Sequence, residues 1–173
     1  MTRFTLFFFV IVLPFTAACQ ASAPGAAYKS DGEGWQIQPP KAWKHALQNG
    51  KLMIGSGTEA GLMLAWFQAG LTYEQAQEYA KQPYQEQGLV LMPGPAAPFV
   101  TKAGKAFVVE YSGKAMDGST IKSRSISIAG AKGVIYAVAV TTEPQYAALA
   151  KRVDEMAKTA SFFTPKVGAG VSL

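Results

Sequence analysis

The sequence predicts an α+β domain, an antiparallel β-sheet of about six to seven strands with two main helices. Three observations carry that expectation. Residues 105–113 and 119–129 flank Asp117-Gly118, a dipeptide suited to the positive φ angles of a tight hairpin turn. Two segments open on a helix-capping pattern, Thr72 with Gln75 and Thr142 with Gln145. Between them, short stretches either alternate apolar and polar residues or run apolar throughout, as strands do.

Residues 20–33 are small, polar and turn-rich and read as a flexible tether. A single domain over 34–164 follows, with a tail at 165–173. Trp35-Gln36-Ile37-Gln38 alternates as a half-buried strand, and Pro39-Pro40 stops it. Trp43 and His45 then fall in a surface turn. Leu52-Met53-Ile54 and residues 61–67 make two strands of a hairpin. In the first helix Tyr73, Ala76, Ala80 and Tyr84 form a thin apolar stripe, and Pro83 ends it near Gln82. Residues 89–92 suit a short strand and 93–98 a loop.

A two-residue turn at Asp117-Gly118 would set Phe107 opposite Ile128, Val109 opposite Ile126 and Tyr111 opposite Arg124. Glu110, Ser112, Ser123, Ser125 and Ser127 would then share the other, polar face. Residues 133–140 are apolar throughout and read as a central strand covered on both sides. In the last helix Tyr146, Leu149, Val153, Met156 and Ala160 recur every three or four residues, with Lys151, Arg152, Asp154, Glu155 and Lys158 on the remaining face.

The chain has 173 residues, 16 basic against 11 acidic, for a net charge of +5. No run of three basic residues occurs, which argues against a nucleic-acid partner. The single cysteine, Cys19, excludes an internal disulfide. It follows Arg3, an apolar stretch at 4–15 and Ala17-Ala18. A basic start, an apolar segment too short to span a bilayer and small residues before a cut describe a secretory leader. With the cysteine it resembles the bacterial lipoprotein signal, although Thr16 stands where that pattern usually has leucine. Cleavage at Ala21-Ser22-Ala23 is the rival, and Pro24 disfavours it. The resemblance implies a signal peptide at 1–18, lipidation of Cys19 and a membrane anchor on the periplasmic side of the envelope. Gln20, in place of an inner-membrane-retaining aspartate, implies the outer membrane.

Gly34-Trp35-Gln36-Ile37 leading to Pro40 and Trp43, the meander, and the ending Tyr146…Val153…Ala160-Ser161-Phe162 resemble the PsbP/Mog1/DcrB-like superfamily over 34–163. That resemblance implies a sandwich fold and a binding or assembly accessory for an envelope protein. It carries over no catalytic residue.

The residues themselves hold little catalytic chemistry. His45 is the sole histidine, no serine sits in a nucleophile elbow, and no His/Cys cluster suits a metal. No cofactor motif is present; Gly55-Ser56-Gly57 lacks the lysine of a phosphate loop. Glu110 with Ser123, Ser125 and Ser127 suits a polar groove for a sugar or peptide, but a water-facing sheet surface is the simpler reading. A hydrolase would need Glu110 to meet His45. Met53, Leu62, Met63, Leu64, Trp66 and Phe67 suit a core, or failing that a pocket for a small apolar ligand. The expectation is thus a non-enzymatic accessory whose partner surface lies near Trp43 and 93–98. The alternatives are a periplasmic sensor of a small apolar or glycan ligand, and a weak hydrolase.

Overall fold

A computed structural model describes residues 25–55, 61–86 and 89–165. Three strands, β1 (Tyr28–Ser30), β2 (Trp35–Ile37) and β12 (Ser161–Phe162), form a small sheet ordered β1-β2-β12. A larger sheet contains β3 (Lys44–Gln48), β4 (Lys51–Gly55), β5 (Leu62–Ala69), β6 (Tyr84–Glu86) and β7 (Leu89–Pro93). Its remaining strands are β8 (Ala97–Phe99), β9 (Lys105–Lys114), β10 (Thr120–Gly130) and β11 (Gly133–Thr142). It runs β3-β4-β5-β11-β10-β9-β7-β6, with β8 also on β9. Two α-helices, α1 (Tyr73–Ala80) and α2 (Tyr146–Lys158), pack on opposite faces of it.

The α+β class and the antiparallel pairing are as expected, but the large sheet has nine strands among the described residues. The additional strands are short. Asn49 at φ 50° and Gly50 at φ 74° make the β3–β4 turn, so the segment read as a surface turn is a strand. Part of the expected loop at 93–98 is β8, which holds Pro98 on a strand paired only with β9. Part of the expected tether is β1, with Tyr28 opposite Ile37.

The main core lies where the small sheet and α2 cover one face of the large sheet. Trp35 and Ile37, Leu149, Val153 and Met156 meet Ile54, Met63, Ile126, Ile128 and Ile135. Leu149, Val153, Met156 and Ala160 of the stripe read from the sequence therefore face the core, whereas Tyr146 is half-buried outside it, and Lys151 is exposed. Central β11, between β5 and β10, is buried along almost all its length.

The capping box at Thr72 forms: the Gln75 amide donates to Thr72 Oγ1 at 3.2 Å and the Thr72 amide to Gln75 Oε1 at 3.0 Å. The second does not. Pro144 lies in a 3₁₀ turn over Glu143–Gln145, and Thr142 makes no side-chain capping bond. Gln145 thereby leaves the third helical position and instead accepts from Thr141 Oγ1 at 3.3 Å.

The β9–β10 turn sets the register that matters most. Ala115 accepts from the Gly118 amide and donates to the Ser119 carbonyl, with Gly118 at φ 82°. This is a three-residue loop with glycine in the left-handed position, one residue longer than expected. The register slips by one accordingly. Phe107 faces Ser127, Val109 faces Ser125, Tyr111 faces Ser123 and Glu110 faces Arg124.

Candidate ligand-binding site

That slip puts Ser123, Ser125 and Ser127 on the α1 face of the sheet, together with Phe107, Val109 and Tyr111. Their neighbours on β11 are Val140, Val138 and Tyr136. On its opposite face the same strand carries Ile126 and Ile128, which are fully buried in the core. Three small hydroxyls in place of branched side chains leave the α1 face hollow. The concavity measures about 270 Å³.

Helix α1 roofs one end of it. Ala76 is buried against Phe107, Val109 and Val134, and the Tyr111 hydroxyl donates to the Ala80 carbonyl at 3.0 Å. Pro83 ends the helix, and the chain returns along β6 with Tyr84 on the rim. Trp66 and Tyr136 form one wall, stacked at 4.9 Å between centroids and 16° between planes. Tyr79, half exposed, marks the opening.

Among the described residues no Asp, Glu, Lys, Arg or His lines the hollow. Burial pushes the Tyr111 hydroxyl up to about 12. Burial, with Tyr111 and Tyr79 nearby, raises Tyr136 as well. Both stay neutral at physiological pH, as donors and acceptors without charge. A charged ligand would lose its water with no counter-ion to replace it, at a cost of several kcal/mol. The arrangement suits an uncharged, largely apolar group that has a hydrogen-bonding edge for the serines.

The fold aligns with the solution structure of cyanobacterial PsbP (CyanoP) from Synechocystis sp. PCC 6803, at a TM-score of 0.57 and 10% identity. The match covers 86% of this chain and 98% of that one. The fold is PsbP-like. A crystal structure from Bacteroides thetaiotaomicron matches at a TM-score of 0.50 and 12% identity, over 84% of this chain and half of that one. No family model and no curated protein matches. At such identities the likeness is one of fold.

In this PsbP-like domain Glu110 and the three serines lie on opposite faces, and Ser123 and Ser127 are buried, so neither the shared water-facing surface expected from the sequence nor its alternative, a polar groove, forms. Glu110 instead joins an ion network. Arg124 binds Asp154 with two bonds, Nε to Oδ1 at 2.6 Å and Nη2 to Oδ2 at 2.9 Å, while Nη1 reaches Glu110 Oε1 at 2.7 Å. Lys122 pairs with Glu143 at 3.0 Å. The buried Tyr146 hydroxyl makes no well-formed hydrogen bond among the described residues; burial and the Glu110 charge raise its pKa, against the opposing effect of Arg124. Glu110, Lys122, Arg124 and Tyr146 border a second concavity of about 400 Å³, lined also by Pro93, Gly94 and Pro95. Its cations are already paired.

The remaining candidates move too. Trp43 is fully buried, with the Arg152 guanidinium 5.4 Å above its ring, and presents no surface to a partner. His45 is buried on β3 edge-on to Tyr28 at 5.9 Å, and desolvation lowers its pKa. It stands five strands from Glu110, roughly 24 Å at the usual strand spacing. The two cannot form a hydrolytic pair. The apolar cluster divides between faces: Met63 enters the main core, whereas Trp66 walls the hollow beside Leu64 and Met53. Cys19 lies outside the described residues.

The alternating serines were readable in the sequence, and so was their shared face. That they lie with the aromatic residues of β9 rather than with Glu110 depends on turn length.

Proposed function

We propose that this chain is a non-enzymatic binding module of the bacterial envelope, an accessory that recognises an uncharged, apolar group of a partner protein in the hollow beneath α1. It is held on the periplasmic side by a lipidated Cys19, at the outer membrane, as Gln20 favours. The serine row of β10 carries the reading, because a strand that needed only to fill a core would use branched residues there as it does on its other face. Support for a non-enzymatic role comes from the lining, where no histidine or carboxylate among the described residues borders the serine hydroxyls to act as a base.

The test compares two variants in a strain lacking the protein. Ser125→Leu fills the hollow, and is expected to remain folded and anchored yet fail to complement. Glu110→Gln removes an exposed ion-pair partner on the other face, changes stability by about 0–1 kcal/mol, and is expected to complement fully. Full complementation by a folded Ser125→Leu protein overturns the proposal.

A further inference from the structure

We infer that the group seated in the hollow is the ring of a tyrosine or tryptophan carried by the partner protein. This rests on the binding-module reading and adds the class of side chain. Rings set the shape of the seat: Tyr136 lies flat on Trp66, and Tyr111 and Tyr84 complete its sides. Aromatic rings pack on one another in such offset and edge-on arrangements beyond what their buried area alone provides. The serine row supplies the second requirement. Alternate hydroxyls along β10 repeat at about 6.6–6.8 Å, and a purely aliphatic occupant would leave them facing hydrocarbon unpaired. A phenol O–H or an indole N–H meets them, and brings no charge into a lining that has none among the described residues.

Size and surroundings favour a side chain over a free molecule. The hollow, at about 270 Å³, falls just short of the roughly 300–1,000 Å³ usual for small-molecule sites. Its mouth is bordered by exposed Tyr79, Gln82 and Pro83, and exposed tyrosine is enriched where proteins meet.

The experiment uses the full-length lipidated protein in nanodiscs, with empty nanodiscs as control. Saturation-transfer NMR reads binding of N-acetyl-tryptophanamide, N-acetyl-tyrosinamide, N-acetyl-leucinamide and indole. At least one capped aromatic amide is expected to bind saturably and at least tenfold more tightly than the leucine amide. Ser125→Leu is expected to abolish that binding, and Ser125→Thr, which adds one methyl, to weaken it severalfold. The wild-type selectivity stands without either variant should one misfold. A leucine amide that matches the aromatic ones overturns the ring assignment, while the complementation test still decides the binding-module reading. Binding of indole with exclusion of both capped aromatic amides overturns the protein side chain in favour of a free aromatic molecule. Aromatic binding unchanged in folded Ser125→Leu protein, or absent from wild type, also overturns the inference.

Discussion

Tyr111 shows how much one buried hydroxyl can report. It lies in the sheet beside the hollow and ties the end of α1 to β9 through the Ala80 carbonyl, and burial raises its pKa to about 12. The unfolded value is about 10, so the folded state holds this proton more tightly. The resulting stabilisation is complete below pH 10 and is lost as pH rises through 12. Alkaline denaturation monitored by tyrosinate absorbance should therefore show stability falling across that window. Tyr111→Phe should make the fall shallower and cost about 0.5–1.5 kcal/mol at neutral pH through the lost hydrogen bond. An alkaline limb of unchanged steepness in that variant would remove the assignment. Nothing in the sequence marks Tyr111 for this role, since its partner is a backbone carbonyl 31 residues away.

Among elements, α2 was the most legible and the short strands the least. Thirteen residues give a helical period enough repeats to show which side is apolar. Three residues at β1, β6 or β8 give no period, and β3 was hidden because its apolar face is interrupted by His45. Its Asn49-Gly50 turn was the available signal. The β9–β10 pair shows the limit most clearly: both strands and the alternation within each were readable, but one extra turn residue decided which sides coincide. For α2, Leu149→Ala should destabilise by about 2–5 kcal/mol, because Leu149 is buried among Val153, Met156 and the sheet. Lys151→Ala on the exposed side should change stability by less than about 0.5 kcal/mol. Urea unfolding of both settles it, and equal midpoints would contradict the packing.

At the scale of the whole molecule, the order of strands, meander and closing helix sufficed to read a PsbP-like fold, while the proposed attachment to the envelope rests on the leader alone. Two or three acyl chains, each methylene contributing about 0.8 kcal/mol, hold a protein where one chain does not. Cys19→Ser is therefore expected to leave the membrane fraction and to lose the mobility shift of lipidation; a variant still sedimenting with membranes and running unchanged would refute the anchor.

The strand order also has a consequence in time. β9, β10 and β11 are consecutive and joined by tight turns, so their ladders can zip locally. β5 must find β11 across about seventy residues of chain, which makes that pairing the entropically costly one. Pulse-labelled amide exchange during refolding should protect β10 before β5. The wall of the hollow joins Trp66 of β5 to Tyr136 of β11, so the seat comes into being only with that late, long-range closure. A chain on that route has its meander before it has the hollow.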